Sequence, residues 1–473
     1  MSIFEYFKVF ANFAEISKIP RESGSEKAVS DFIADWARGL SLDVTQDEIG
    51  NLIIKKPATA GYEDRDALIL QAHLDMVCEK RAGSEHDFSK DPICLEVNGD
   101  WLSAKDTTLG ADNGIGVALA MSILEAEDIK HPPLEAVFTV CEETDFSGAA
   151  AVDMSLLKAS RMINLDHACE REVLVGSCGG VGVEFNMPIK RIADIPSGLR
   201  AYRVSLGGLV GGHSGEDIHR GRANAILLML RLLEATELPL VSIEGGTSRL
   251  AIPREASAVV LTDDRQALKN ALRKSEAVFR EEYPTELGLG ISAEETDSLL
   301  PPLDGDSLQR LRLVLRTYPN GIVRMFDSMT GVVESSDNVG IVETKSDCIS
   351  MVSEIRGAYT STTADILETI KVIANSVGAE VETFAAYSPW TSKNKSPLRE
   401  LAISTYENMY GRSMTPIAVH AGLECGFFAA ANPELDIISL GADCENFHSP
   451  EERVSISSVL RLYDFLTELL SKL

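Results

Sequence analysis

The sequence predicts an α/β domain, in which helices cover both faces of a mixed sheet, interrupted by an inserted α+β domain. Short apolar segments alternate with amphipathic ones in the first third of the chain and again after residue 397, which is typical of an α/β sheet. Between these parts the order of predicted strands and helices changes. The chain has 473 residues, of which 45% are hydrophobic, enough to build two or more domains.

The first third of the chain has the patterns of helices, a hairpin and buried strands. Amphipathic helices are predicted at 4–17 and 25–40, with Ser23 to Ser25 as cap residues of the second helix. The alternating segment 44–55 contains the turn pair Gly50-Asn51 and predicts a hairpin. This part is completed by strands at 67–72, 134–140 and 162–165 and by a helix at 113–127.

The order of predicted strands and helices changes near residues 187–198, and a second domain is predicted from there. Its strands are expected at 200–206, 256–263, 338–343, 349–355 and 379–387, and its helices at 222–236, 265–281, 306–318 and 361–377. Because an α/β rhythm returns between 397 and 472, we expect residues 1–187 and 388–473 to form one discontinuous domain. Residues 188–387 would form the inserted domain, which could consist of two similar halves, although its sequence shows no repeat.

The composition argues against several classes of partner and location. The formal net charge is −28, so a generally anionic surface disfavours nucleic acid and anionic membranes as partners. The apolar runs are too short to cross a membrane, and the N-terminus lacks the pattern of a signal peptide. The eight cysteines include no C-x-x-C pair, which indicates reduced thiols and a cytoplasmic location.

Five short segments place a histidine or a carboxylate where a predicted strand meets a loop, which is where open α/β sheets hold ligands. His73 and Asp75 are the first pair, and they point to the same side of an extended chain. The imidazole is a good ligand for zinc-like metals, and the carboxylate could orient it. Taken alone, an ordinary structural role is the simpler interpretation of this pair.

Asp112 and the pair Glu142 and Glu143 are the next candidates. Asp112 stands among glycines just before a predicted helix, and taken alone it is more simply interpreted as a helix N-cap. The two glutamates directly follow an apolar strand, where an uncompensated carboxylate is costly to bury, so a cation or a proton is expected nearby. Since adjacent side chains of an extended chain diverge, the two could serve as a general base and a metal ligand. A solvated strand end is the alternative.

Asp166 ends another predicted strand, and His448 lies in a loop before the last helix. Together the five segments make a mixed nitrogen and oxygen ligand set, which suits zinc, or cobalt or manganese, rather than calcium. Five such ligands exceed what one open zinc site requires and suffice for two ions that share a carboxylate. We therefore expect two divalent metal ions, which could together hold a hydroxide and polarise a carbonyl group.

Longer motifs carry a family resemblance along nearly the whole chain. They are residues 51–61, 70–77, 107–116, Gly211-Gly212-His213-Ser214-Gly215, Ala251-Ile252-Pro253-Arg254-Glu255-Ala256, His420-Ala421-Gly422-Leu423-Glu424-Cys425-Gly426 and His448-Ser449-Pro450. On these motifs the chain resembles the M20 metallopeptidases and, within them, the aminoacyl-histidine dipeptidase branch. The resemblance implies a zinc-peptidase-like catalytic domain with an inserted lid domain. It also implies metal-dependent hydrolysis of small peptides, namely Xaa-His and other dipeptides.

The resemblance further implies roles for individual residues. Asp112 would bridge the two metal ions. The remaining metal ligands would be His73 and Asp166 on one ion and Glu143 and His448 on the other. The catalytic residues would be Glu142 as the general base, Asp75 as the partner of His73, and His213 as the hydrogen-bond donor to the oxyanion. Arg356 would bind the substrate carboxylate, with an ordinary surface charge as the alternative. Glu424 would either contact the substrate or cap its helix.

The chain departs from the resemblance near some of these motifs. Thr144-Asp145 follows the paired glutamates, and Leu250 stands where an asparagine is more usual. Neither departure removes a metal ligand or the general base. Two alternative functions stay open: another reaction of the same family, either N-acyl amino acid deacylation or carboxypeptidase action, and a non-catalytic metal-binding scaffold. The sequence is also compatible with either a monomer or a homodimer.

Overall fold

The structure is a computed structural model that describes residues 3–195, 197–297, 300–327 and 329–473. Its helices are, in chain order, α1 (Ile3–Tyr6), α2 (Lys8–Ile16), α3 (Lys27–Gly39), α4 (Ala111–Glu125), α5 (Ser147–Ala151), α6 (Ala225–Thr236), α7 (Arg265–Glu282), α8 (Gly305–Thr317), α9 (Thr360–Val377), α10 (Pro397–Tyr410), α11 (Cys425–Ala431) and α12 (Ile456–Lys472). Among the described residues, no helix combines the length and the apolar character needed to cross a membrane.

The strands are, in chain order, β1 (Asp43–Gln46), β2 (Leu52–Lys56), β3 (Leu68–His73), β4 (Leu95–Asn98), β5 (Trp101–Ala104), β6 (Leu134–Thr139), β7 (Arg161–Asn164), β8 (Glu172–Ser177), β9 (Gly179–Pro188), β10 (Arg200–Gly207), β11 (Gly212–His213), β12 (Leu240–Gly245), β13 (Ala251–Ile252), β14 (Ala256–Thr262), β15 (Gly290–Thr296), β16 (Gly321–Met325), β17 (Val333–Thr344), β18 (Cys348–Gly357), β19 (Glu380–Tyr387), β20 (Thr415–Val419), β21 (Asp436–Ser439), β22 (Cys444–Glu445) and β23 (Arg453–Ser455).

The chain divides into two compact units, each with its own hydrophobic core. Unit 1 consists of Met1–Ser177, Trp390–Ala418 and Leu423–Leu473. Unit 2 consists of Cys178–Pro389 and the short segment Val419–Gly422.

The main sheet of unit 1 is mixed. Its described strands follow the order β1-β2-β6-β3-β7-β21-β8-β20. The central strands β6, β3, β7 and β21 are parallel to one another, whereas β1 and β2 form an antiparallel hairpin beside β6. Both β3 and β6 are buried along their whole length, as expected for parallel strands that are covered on both faces.

Helix α4 packs against β3 and is buried almost all round, which is typical of a helix in a protein interior. Helix α12 instead buries one face, with Leu462, Phe465 and Leu469 in the core of unit 1. The apolar residues of both helices therefore stabilise the sheet that carries the predicted site residues.

A second, smaller sheet of unit 1 joins distant parts of the chain. β22 and β23 form an antiparallel hairpin, β23 pairs with β5, and β5 pairs with β4. The loop of this hairpin spans residues 446–452 and contains His448. Strands from the first third of the chain therefore hold the C-terminal loop.

Unit 2 contains an antiparallel sheet in the order β15-β10-β14-β12-β17-β18-β9-β19, with β16 paired to β17. Helices α6, α7, α8 and α9 contribute Leu228, Leu268, Leu311 and Ile366 to its core. Strands β11 and β13 form a separate two-stranded sheet within this unit.

The structure differs from the sequence-based expectations in several places. The predicted cap at Ser23 to Ser25 is wrong, because α3 begins after Glu26 and no side chain caps its first turn in the described structure. The sequence also did not predict β8 and β9, two largely buried strands. The glycines at 176, 179, 180 and 182 explain the omission, since glycine has a low β propensity and these strands form only in their tertiary context.

Candidate metal centre and active site

The carboxyl ends of three neighbouring parallel strands carry several of the predicted site residues. His73 is the last residue of β3. Glu142 and Glu143 lie in the turn after β6, and Asp166 follows β7. Because β3 lies between β6 and β7 and is parallel to both, these side chains come from the same edge of the sheet.

His73 and Asp112 form the first part of a side-chain cluster. Nε2 of His73 lies 3.1 Å from Oδ1 of Asp112 and 3.5 Å from Oδ1 of Asp166. The N-cap of α4 is Gly110, so the interpretation of Asp112 as the N-cap is wrong; Asp112 lies in an irregular first turn, with φ −80° and ψ 109°. The potential ligand atoms of His73, Asp112 and Glu143 all lie within 4.8 Å of one another.

His448 completes the cluster from the hairpin loop. Its Nε2 lies 3.0 Å from Oε1 of Glu143 and 3.4 Å from Oδ2 of Asp112. The left-handed backbone of His448, with φ 61°, is uncommon for a residue other than glycine and is typical of functional sites. The two oxygens of Asp112 therefore face two different histidines, and the structure brings all five predicted ligands together.

The pKa values of the cluster reflect its excess of negative charge. Burial and the charge of Asp112 together raise the pKa of Glu143 to about 7. Burial also raises the pKa of Asp166. Burial alone would lower the pKa of His448, but the carboxylates of Asp112 and Glu143 raise it to about 11. Divalent cations would relieve this repulsion, so the donor set fits such ions.

Asp75 is fully buried and holds the turn that carries the two glutamates. Its carboxylate accepts hydrogen bonds from the N–H groups of Glu142 (3.1 Å) and Glu143 (3.0 Å) and from the hydroxyl of Ser23 (2.8 Å). Its Oδ1 also lies 3.3 Å from Nδ1 of His73. Burial alone would raise the pKa of Asp75, but His73 and the hydrogen-bond donors lower it to about 2, so the carboxylate stays charged.

Glu142 is close enough to the cluster for its ionisation to depend on it. Burial raises the pKa of Glu142 well above its ordinary value. His73 opposes this rise, while Glu143 and Asp166 add to it. A carboxyl group with a raised pKa is suited to accept and return a proton near neutral pH.

Unit 2 brings His213 and Arg356 together. Arg356, on β18, is 3% exposed, so its interpretation as an ordinary surface charge is wrong. Its Nη1 donates to the hydroxyl of Tyr387 at 2.6 Å, and its Nη2 lies 3.4 Å from both Nε2 of His213 and Oγ of Ser214. Nδ1 of His213 accepts the N–H of Glu216 at 3.1 Å, which leaves the proton of a neutral imidazole on Nε2.

Glu424 is fully buried. Its Oε2 accepts hydrogen bonds from the hydroxyl of Thr139 (2.7 Å) and the amide of Gln71 (2.5 Å). The alternative that it caps its helix is wrong, because no side-chain cap is present at α11 in the described structure. Its contact with substrate stays a prediction, which complete burial does not support.

Three polar residues that the sequence analysis did not assign to the site support it. Ser23 donates to Asp75, Arg21 donates to three backbone carbonyl groups, and Glu452 accepts from the backbone segment that ends at Asp112. Two of them bind mainly backbone groups, which every residue has, so no residue pattern indicates these contacts. The position of Glu452 just beyond the motif His448-Ser449-Pro450 is the one signal that could have pointed to it.

A mixed α/β sheet whose parallel strand ends present histidine and carboxylate groups is an arrangement of metal-dependent hydrolases. Comparison with known proteins narrows this class. The model of peptidase family M20/M25/M40 matches residues 69–472, and the chain belongs to this family.

Similar proteins support the same fold. The chain is 37% identical over 468 residues to the cytosol non-specific dipeptidase of Escherichia coli (strain K12), an alignment that covers 98% of this chain and 96% of the relative. The crystal structure of aminoacylhistidine dipeptidase from Vibrio alginolyticus has a TM-score of 0.86 and 36% identity, and covers 98% and 96% of the two chains. Aminopeptidase PepT from Bacillus cereus, at 16% identity, a TM-score of 0.63 and 98% coverage of both chains, shares the fold. The predicted fold class, family and enzyme class of peptide-bond hydrolase are confirmed.

Proposed function

We propose that this chain is a metal-dependent dipeptidase that hydrolyses Xaa-His and other dipeptides in the cytoplasm, with unit 1 as the catalytic domain and unit 2 as the inserted lid domain. The observation that carries the proposal is the convergence of five predicted metal-ligand side chains near the half-buried Glu142. The similarity to a cytosol non-specific dipeptidase and to an aminoacylhistidine dipeptidase supports the substrate class.

Two divalent metal ions are assigned to the cluster. Asp112 would be a ligand shared by both ions, since its carboxylate lies near both His73 and His448. Asp166 would complete the ligands next to His73, and Glu143 those next to His448. When bound, such ions polarise a carbonyl group and lower the pKa of water. The nitrogen and oxygen donors favour zinc, with cobalt and manganese as alternatives.

Glu142 is assigned as the general base. Its carboxylate would accept a proton from the attacking water and return it to the amine of the leaving amino acid. Asp75 would serve this step indirectly, because its hydrogen bonds to the backbone hold both Glu142 and the ligand Glu143 in one turn.

His213 and Arg356 are assigned to the substrate. With its proton on Nε2, His213 would donate to the oxygen that becomes negative during attack, a contribution of about 10²–10³ in kcat for one donor in other enzymes. Arg356 would bind the C-terminal carboxylate, because its guanidinium lies beside His213 and matches the geometry of a carboxylate. A site that requires this carboxylate next to the scissile bond would favour dipeptides over longer chains.

A substrate panel tests the proposal. The protein is assayed with Ala-His, β-Ala-His, other dipeptides, tripeptides and N-acetyl amino acids, before and after chelation and after return of Zn²⁺, Co²⁺ or Mn²⁺. We expect cleavage of dipeptides, including Ala-His, that depends on metal. A preference for N-acetyl amino acids, or removal of single residues from longer peptides, would indicate the deacylase or carboxypeptidase alternative. Metal binding without turnover would indicate a scaffold.

The variant Glu142→Gln tests the assignment of the base. It should keep the metal content of the wild-type protein, because no metal is assigned to Glu142, and should lower kcat by about 10²–10⁴, the range for a general base. Metal content is measured by elemental analysis and kcat with Ala-His. Glu143→Gln is the matched control, which should lose metal as well as activity. An active Glu142→Gln protein would show that another group takes the proton.

A further inference from the structure

Glu452 is a buried carboxylate that binds a row of backbone N–H groups. It lies in the hairpin loop that also carries His448, and it is 2% exposed. Its two oxygens accept hydrogen bonds from the N–H groups of Leu109 (2.7 Å), Gly110 (2.8 Å), Ala111 (2.7 Å) and Asp112 (3.3 Å).

These N–H groups stand at the start of α4, where a helix has donors without partners inside the helix. Each oxygen of Glu452 takes two of them, and its negative charge is favourable at a helix N-terminus. The last donor is Asp112 itself. The hydrogen bonds therefore act directly on the residue assigned to both metal ions.

Arg21 holds the same backbone segment from its carbonyl side. Its Nη2 donates to the carbonyl oxygen of Gly110 at 2.5 Å, and its Nη1 donates to those of Leu74 and Asp75, each at 3.0 Å. Gly110 allows this close approach, since its φ is 68° and a Cβ there would clash with the Arg21 guanidinium. The segment before Asp112 is thus bound on both sides and tied to the residues that follow β3.

The backbone of Glu452 shapes the turn beside His448. Its N–H donates to the carbonyl oxygen of Ser449 at 3.0 Å, and the hydroxyl of Ser449 donates to the carbonyl oxygen of Asn446 at 2.7 Å. Strand β23 begins directly afterwards and pairs with β5, which anchors this end of the loop. One residue therefore binds the Asp112 segment with its side chain and closes the His448 turn with its backbone.

We propose that Glu452 is a positioning residue of the metal centre, which holds Asp112 and His448 in register before the metal ions bind. The inference rests on the proposed function, because it takes these two residues as ligands. Ligands that are already held in place lose less conformational freedom on binding, so this arrangement should raise metal affinity.

Glu452→Gln is the variant that tests the inference. The amide has the same shape, but its NH₂ group is a donor and would face backbone N–H groups. Only one oxygen would then be left to accept the hydrogen bonds that two oxygens accept in Glu452. We expect Zn²⁺ affinity, measured by competition with a chelator, to fall by about 10- to 100-fold, the usual effect of removing a group that orients ligands. The visible absorption spectrum of the Co²⁺-loaded protein, which reports ligand geometry, should change as well.

Two variants are matched controls. Glu135→Gln alters another buried carboxylate that accepts backbone N–H groups, those of Lys158 and Ala159, near the opposite end of β6 from the site. Glu451→Gln removes the charge of the exposed neighbour of Glu452. Glu135→Gln should lower thermal stability without changing Zn²⁺ affinity or the Co²⁺ spectrum, and Glu451→Gln should change none of these.

The outcomes distinguish this inference from the proposed function. If the wild-type protein binds neither Zn²⁺ nor Co²⁺ at the cluster, both the proposed function and the inference about Glu452 fail. If the wild-type protein binds metal and Glu452→Gln binds it equally tightly with an unchanged spectrum, the inference alone is overturned. It is also overturned if Glu135→Gln weakens metal binding to the same degree, because the effect is then one of general stability.

Hydrogen exchange of the wild-type protein provides the test if Glu452→Gln does not fold. The amides of residues 109–112 should already be protected from exchange in the metal-free protein, because Glu452 accepts their hydrogen bonds without metal. Fast exchange of these amides in the metal-free protein would overturn the inference.

Discussion

At the residue scale, Asp75 has more partners than its place in the sequence suggests. The spacing from His73 predicts that it orients the imidazole, and the two side chains lie 3.3 Å apart. The same carboxylate also binds the N–H groups of Glu142 and Glu143. The orientation of one proposed ligand and the position of the proposed base therefore depend on a single side chain.

The variant Asp75→Asn should reveal this double role. Its NH₂ group cannot accept the backbone N–H groups of the glutamate turn, so we expect kcat/KM to fall by about 10- to 100-fold, with weaker metal binding. Steady-state kinetics and elemental analysis measure the two effects. Ser23→Ala removes one donor to the same carboxylate and should have a much smaller effect. Equal losses in the two variants would contradict the role given to the backbone hydrogen bonds.

Arg356 offers a second prediction at this scale. Arg356→Lys keeps the charge but loses the planar pair of donors that matches a carboxylate. We expect KM for Ala-His to rise about 10-fold or more, with a smaller change in kcat. The amide of Ala-His, which lacks the carboxylate, is the control substrate and should be nearly unaffected by the substitution. An equal loss on both substrates would show that Arg356 acts elsewhere.

At the element scale, strand β17 of unit 2 carries a buried acid. Asp337 is fully buried, and this burial raises its pKa to about 8. In the unfolded chain its pKa is about 3.9, so the folded state retains a proton that the unfolded state loses. Folding is unaffected by this group below pH ~4, and the free energy of unfolding then falls as the pH rises towards 8.

Asp337→Asn should remove this dependence, because an amide does not ionise. Between pH 5 and pH 7.5 we expect the free energy of unfolding of the variant, relative to the wild-type protein, to increase by about 3 kcal/mol. Urea unfolding at several pH values, followed by circular dichroism, measures the difference. Asp306→Asn, at an exposed position on α8, is the control. A difference that does not vary with pH would contradict the prediction.

At the scale of the whole molecule, metal binding should be coupled to the stability of unit 1. The cluster holds half-buried carboxylates, and burial and the charge of Asp112 raise the pKa values of Glu143 and Asp166. Ions that bind the folded state but not the unfolded state stabilise it by mass action, by about 2.7 kcal/mol at a concentration 100 times Kd.

Removal of metal with a chelator should therefore lower the midpoint of thermal unfolding by several degrees, and added Zn²⁺ should restore it. Differential scanning calorimetry measures the shift. Asp112→Asn replaces the carboxylate assigned to both ions with an uncharged amide. Its unfolding midpoint should therefore rise less on addition of Zn²⁺. An identical midpoint in the metal-free and Zn²⁺-loaded wild-type protein would argue against a metal centre in the folded core.

The sequence by itself determined the types of ligand and the elements that carry them. His73, Glu143 and Asp166 could be predicted as site residues because each ends an apolar strand, and both residue type and hydrophobic period are local properties. The bounds of most helices and strands followed from the same periodicity. The bounds of β8 and β9 did not follow from it, because glycine has a low β propensity and these strands form only by pairing with their neighbours.

Only the tertiary structure decided which polar groups hold those ligands. Glu452 binds backbone N–H groups about 340 residues earlier in the chain, and Ser23 donates to Asp75 rather than capping α3. Glu424 is buried and accepts hydrogen bonds from Gln71 and Thr139, contacts that the sequence did not indicate. The physical reason is that burial obliges a polar group to find a partner, and the nearest partner in space is set by how distant segments pack.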